Sequence, residues 1–222
     1  MSRAALLTAE RRRVLHRRIR LIVGVTIAYN VVEALVALVA GSAASSAALI
    51  GFGLDSAVEV LSAAAVAWQF TRPDPERWER PTLRVIAVAF FALAAYVTVT
   101  SVAALFDGAA PAHSPLGIVL TALSVAIMPV LSLAERRVGR ELESASVVAD
   151  SRQTLICTYL SAAVLLGLVA NSLFGWWWAD AAAALVIAVF AVREGVEAWR
   201  GDACATSVGM LLEEADSAAP SR

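Results

Sequence analysis

A bundle of six membrane-spanning α-helices, with both ends of the chain in the cytoplasm, is the fold class the sequence predicts. Three observations lead there. Hydrophobic residues make up 59 % of the 222 positions and charged residues 17 %, with a mean hydropathy of +0.73, whereas soluble domains average about 45–50 % and about 25 %. A soluble domain needs a polar skin over the surface that folding leaves exposed, and this composition cannot supply one. The apolar residues also gather into six stretches, near 20–41, 47–70, 84–106, 115–134, 146–170 and 177–198. At about 1.5 Å per helical residue, each is long enough to cross roughly 30 Å of hydrocarbon. Finally, the 18 positive charges are all arginine, and they alternate between the two ends of these stretches.

Taken in order, each element has its own boundaries. Arg3, Arg11, Arg12, Arg13, Arg17, Arg18 and Arg20 precede the first span, which Gly41-Ser42 is expected to end. The second closes at Pro73, Pro75 and Pro81, among Arg72, Arg77, Arg80 and Arg84, and the third at Asp107-Gly108 with Pro111 and Pro115. A charged break from Arg136 to Glu143 follows the fourth, Gly175 follows the fifth, and Arg200 closes the sixth. Arginine is absent from the first, third and fifth connections. Short arginine-bearing loops stay cytoplasmic, so this pattern places both termini inside. The arginine-rich start resembles a signal peptide, but the apolar run is longer than usual and contains Asn30 and Glu33, so a retained helix is expected. The organisation is then a basic cytoplasmic segment (1–19), a six-helix transmembrane domain (20–200) and a disordered cytoplasmic tail (201–222).

Several function classes fall away. A formal net charge of -1 does not suit a nucleic-acid partner. Cys157 sits in an apolar segment and Cys204 in a polar tail, so no disulfide framework is expected. No histidine, serine elbow or phosphate loop accompanies the buried acids, which argues against an enzyme.

What remains is a small set of polar residues inside the spans: Asn30 and Glu33, Asp55 and Glu59, and Asp150, Arg152, Gln153 and Cys157, with Asp180 and Glu194 nearer the ends of the sixth. Each mid-membrane charge costs about 2.5–3.5 kcal/mol on insertion scales unless partnered or protonated. Asp55 and Glu59 are four apart, hence on one helical face halfway through the second span. Two carboxylates there repel unless one is protonated or a divalent cation lies between them, and carboxylate oxygens are suitable donors to such a cation. Asp150, Gln153 and Cys157 form a similar stripe on the fifth span, so the two faces could together make a four-donor cage. The stretch Ser46 to Glu59 also lies over Ser144 to Cys157 with matching serines, small residues and polar pair. These spans run in opposite directions, as in the inverted repeats of secondary transporters.

These residues resemble the membrane domain of the cation diffusion facilitator family, over about residues 15 to 200. That family's divalent-metal exporters have six spans and a ligand pair on each of helices two and five, usually His or Asp followed four residues later by Asp. The resemblance puts Asp55 and Glu59 on the first pair and Gln153 and Cys157 on the second. Asp180, followed by Ala-Ala-Ala-Ala-Leu-Val-Ile-Ala, resembles the start of the sixth helix. Gln153 and Cys157 depart from the usual ligands, and the His-rich segment and the cytoplasmic metal-binding domain are missing, so a small group without that domain fits better. Because a Gln amide is a weak zinc ligand, either Gln153 or Asp150, one turn toward the cytoplasm, completes the set. The resemblance implies proton-coupled efflux of Zn2+ or a related divalent cation by alternating access, in a multi-pass plasma-membrane protein of bacterial type. It also implies a homodimer; the small residues Ala87, Ala94, Ala95 and Ser101 of the third span would permit close approach within or between subunits. The cation is substrate, and no prosthetic group is expected.

Other readings stay open on the sequence. Glu33 and Asn30 could tie helices together or serve as a proton relay beside the site. Arg152 could pair with Asp150 or Glu33 as an internal ionic lock in a scaffold that transports nothing. Paired acids and Trp rings could serve an organic-cation transporter. Asp180 could cap its own helix.

Overall fold

The computed structural model of the chain describes residues 9–70, 75–108, 110–142 and 145–200. Among these residues the structure is wholly helical, with six helices: α1 (Ala9–Ala44), α2 (Ala47–Phe70), α3 (Pro75–Asp107), α4 (Pro115–Leu142), α5 (Ala145–Phe174) and α6 (Trp177–Arg200). The first five contain segments long and apolar enough to cross a membrane. The 24-residue α6 is also long enough, at about 36 Å, but carries Asp180, Arg193, Glu194 and Glu197. Its Arg193 and Glu197 pair with each other at 3.0 Å on the exposed face near the C-terminal end. The expected tail, 201–222, lies outside the described residues.

Where a turn needs unusual backbone, the sequence supplies it. Gly108 and Gly175 adopt φ of 61° and 65° just past α3 and α5, the left-handed conformation that ends helices and that glycine reaches without a Cβ clash. The first break comes later than Gly41-Ser42: α1 runs on to Ala44, Ser45 takes φ 53°, and the Ser46 N–H reaches back to the Gly41 carbonyl at 3.0 Å. Ser46 and Ser114 then cap α2 and α4 with side-chain oxygens, accepting from Leu49 N–H at 3.1 Å and Gly117 N–H at 3.2 Å. Pro115 follows at the first position of α4, where its missing N–H costs nothing.

Two expected breaks are shorter than composition suggests. The proline-rich connection ends at Pro75, which opens α3, so Pro81 lies inside the helix. The break expected from Arg136 to Glu143 is instead the last turns of α4, which continues to Leu142. Arg and Glu are good helix formers and do not end a helix by being charged. Packing secures this extension: Val138 of α4 buries against Leu15, Ile19 and Val23 of α1. The basic segment expected over 1–19 is therefore helical from Ala9, with Arg17, Arg18 and Arg20 exposed and apolar residues turned to α4.

α2 holds the central place, packed against α1, α3 and α6 and meeting α5 lightly. Its Leu49 and Phe52 join Val97 of α3, Leu160 and Val164 of α5 and Ile187 of α6 in the main core. α3 pairs with α6, and α4 pairs with α5. Ala87, Ala94 and Ser101 of α3 are buried within the chain, whereas Ala95 is exposed, so most of that small-residue face serves packing inside this chain. Gly167 brings α5 onto α6: a Cβ there would lie 2.9 Å from the Ala183 Cβ and 3.0 Å from the Ala179 carbonyl oxygen.

Candidate functional site

Helical spacing aligns a polar stripe on α1. Thr26, Asn30 and Glu33 stand at intervals of four and three, one face of the helix, with Asn30 and Glu33 buried. α2 supplies the facing stripe, Asp55, Ser56 and Glu59, of which Asp55 and Ser56 are buried and Glu59 partly so. Between them the helices build one connected set of contacts.

Glu59 is its centre. The Asn30 Nδ2 donates to Glu59 Oε2 at 2.8 Å, and the Cys157 thiol of α5 donates to Glu59 Oε1, with Sγ 2.7 Å away. One carboxylate thus joins α1, α2 and α5 at mid-helix depth. Cys157 is 7 % exposed, shielded from lipid and from aqueous reagents. Asp55 lies one turn before Glu59 on α2, also buried, and Glu33 and Glu194 of α6 are further acids in its surroundings. Asn30 keeps its Oδ1 buried and without a hydrogen-bond partner.

Glu33 has a different setting from its neighbours. The Ser56 hydroxyl of α2 donates to Oε2 at 2.8 Å, and the Ser124 hydroxyl of α4 donates to Oε1. Tyr29 Oη lies 2.7 Å from that same Ser124 oxygen. Glu33 therefore fastens α1 to α2 and α4 through neutral hydroxyls. These contacts span 23 and 91 sequence positions, which helical periodicity within one segment cannot show.

The structure brings Glu59 together with Cys157 and places Asp55 a turn away. Among the described residues no group of three or more His, Cys, Asp and Glu side chains is arranged to hold a metal ion. Asp150, Arg152 and Gln153 belong to α5, but their side chains lie outside the described residues.

Two acids behave unlike the sequence expectation. Asp180 stands in the first turn of α6 but caps α2: Oδ1 accepts from the Ser46 hydroxyl at 2.5 Å and Oδ2 from the Ala48 N–H at 3.2 Å. The N-terminus of α2, which has no acid in its own first turn, takes its negative partner from another helix. Glu135 lies just past the expected end of the fourth span at 134 and is given no role by the sequence, yet it is fully buried, accepting from Thr26 of α1 at 3.3 Å and Thr154 of α5 at 2.9 Å. A signal for it exists in the sequence: Ser124, Met128, Ser132 and Glu135 continue one buried face of α4.

The sequence is similar to that of known proteins. The family model described as the cation efflux transmembrane domain matches residues 23–201. A 78-residue stretch is 36 % identical to the cation-efflux pump FieF of Shewanella oneidensis, covering 35 % of this chain and 26 % of that relative. The chain thus spans about a quarter of the length of the curated relative it matches. With the match running from within α1 through α6, the chain belongs to the cation-efflux transmembrane-domain family.

Proposed function

We propose that this protein carries a divalent transition-metal cation, zinc or a metal of similar softness, out of the cytoplasm in exchange for protons. The ligands are Asp55 and Glu59 of α2, Cys157 of α5, and either Asp150 or Gln153, with α6 as the sixth span and the arginine-bearing end inside. One observation carries the reading: the Glu59 carboxylate and the Cys157 thiol are in direct contact across α2 and α5, away from lipid.

The chemistry follows from that contact. A thiol donating to a carboxylate holds a proton that a metal must displace, because the ligand forms are thiolate and carboxylate. Metal entry therefore expels protons, and metal release lets them return, which couples the two flows at one place. Asn30 holds the Glu59 carboxylate in orientation through its second oxygen, the supporting contact that ligating carboxylates need. Sulfur beside oxygen favours zinc, cobalt or cadmium over magnesium and calcium. The light contact between α2 and α5 lets the site open to either side while α3–α6 and α4–α5 keep their packing.

Cys157→Ser tests the sulfur directly. In proteoliposomes holding a metal-sensitive dye, zinc flux driven by a proton gradient should fall about tenfold or more, while manganese flux changes less than about threefold. Equal losses for both metals, or none for either, contradict a thiolate ligand.

A further inference from the structure

Buried polar atoms without a partner are uncommon in folded proteins, and each asks for a physical cause. Among the described residues they are Asn30 Oδ1, Thr82 Oγ1 and Arg136 Nε. Thr82 and Arg136 stand near the arginine-bearing ends of α3 and α4, whereas Asn30 lies halfway through the spanning segment of α1 and is 6 % exposed. Its amide is half used. Nδ2 donates to Glu59 Oε2 at 2.8 Å, while Oδ1, on the same carbon, accepts nothing.

Loose packing does not account for the unused oxygen. A Cβ on Gly53 of α2 would lie 3.0 Å from the Leu38 nitrogen of α1, and one on Gly41 of α1 would lie 2.8 Å from the Ile50 nitrogen of α2, so the two backbones are closely joined. Ser56 and Glu33 add a hydrogen bond of 2.8 Å about one turn from the Asn30–Glu59 pair. Turning the amide over would set its oxygen against a carboxylate oxygen, two acceptors face to face. The oxygen and nitrogen of an amide are about 2.3 Å apart, so Oδ1 stands within about 5 Å of Glu59 Oε2. Two oxygens bound to one zinc-sized cation, each at about 2.0–2.2 Å, stand at most about 4.4 Å apart, so a shift of under about 1 Å brings both into one coordination sphere. Charge points the same way. Two carboxylates and a thiolate already exceed the charge of a divalent cation, and an amide oxygen adds a donor without adding more.

We propose that Asn30 Oδ1 is a direct ligand of the transported cation, so that the first helix supplies a donor to the site between α2 and α5. The proposal rests on the transporter reading above. One amide then has two tasks: Nδ2 orients Glu59, and Oδ1 binds the cation when it arrives. Because α1 and α2 are closely joined, Asn30, Asp55 and Glu59 move as one half of the site against Cys157 of α5.

The test is cobalt(II) binding to the purified full-length protein in a Cys204→Ser background, read by affinity and by absorption. Asn30→Leu, which puts an apolar group of similar size in place of the amide, should raise the cobalt Kd about tenfold or more. At saturating cobalt its visible ligand-field bands should change in position and intensity, because the ion has lost a ligand, while the thiolate band remains. Asn30→Asp keeps an oxygen at the place of Oδ1 and removes the N–H donor, so it should bind cobalt within about threefold of wild type, or tighter, with wild-type bands. Equal losses in the Leu and Asp variants show that Asn30 acts only by orienting Glu59, and overturn the proposal. Wild-type Kd and bands in Asn30→Leu leave Oδ1 to a water and overturn it too. If the Leu variant does not fold, Asn30→Ala is read in its place. A wild-type protein that binds no cobalt and moves no zinc overturns this proposal and the transporter reading together. A wild-type protein that does both, beside an Asn30→Leu protein with unchanged cobalt binding, overturns the role of Asn30 alone.

Discussion

Replacing Asp55 by Asn together with Glu59 by Gln should abolish zinc flux, by roughly a hundredfold or more given that loss of supporting contacts alone costs 10–100-fold at metal sites. The fold should survive. Both substitutions are nearly isosteric, and a Gln at 59 can still accept through its amide oxygen from Asn30 or from the Cys157 thiol, the two partners of the native carboxylate. Removing two buried carboxylates also removes a desolvation cost, so stability should hold or rise. Flux in proteoliposomes, with thermal unfolding of the same preparation, reads both quantities. A double variant that transports zinc at the wild-type rate contradicts the assignment of these acids.

The second large effect is on stability. Asp180→Ala should destabilise the protein by about 2–4 kcal/mol, combining orphaned buried donors with a lost helix cap. The Ser46 hydroxyl and the Ala48 N–H both donate to this carboxylate, and Ser46 is itself the residue that caps Leu49. Without Asp180 the buried start of α2 loses its acceptor partner and its hydrogen bonds to α6 at once. Asp180→Asn keeps one acceptor and should recover about half of the loss, the remainder being the charge–dipole contribution. Denaturant unfolding in detergent measures the series, and equal stability of the Ala variant and wild type contradicts the clasp.

Much of this architecture is legible in a single sequence because lipid imposes simple rules. Apolar stretches of spanning length announce the helices, and Gly108 and Gly175 mark two of the turns by the backbone they alone adopt comfortably. The spacing of Asp55 with Glu59, and the stripe that includes Cys157, pointed to a shared face between α2 and α5, where Glu59 and Cys157 meet. The fourth span illustrates the opposite case. The stretch from Arg136 to Glu143 reads as a loop by composition, but α4 continues to Leu142 because Val138 has Leu15 and Ile19 to pack against. That partner lies over a hundred residues away in sequence, beyond the reach of periodicity. The same holds for Asp180, whose cap on α2 crosses 132 positions, and for the serines that hold Glu33. Spacing shows which residues share a face of one helix, whereas contacts between helices depend on how all six pack.

The central claim is that a transition metal binds between Glu59 and Cys157, and cobalt reports on it most directly. Cobalt(II) bound by a thiolate shows an intense sulfur-to-metal charge-transfer absorption in the near ultraviolet, which oxygen ligands alone do not produce. In a Cys204→Ser background, so that Cys157 is the sole thiol, titration with cobalt should bring up this band to one equivalent and zinc should abolish it. The band should be absent from Cys157→Ser and strongly weakened in Asp55→Asn/Glu59→Gln. A protein that shows no such band, or keeps it after Cys157→Ser, contradicts the account.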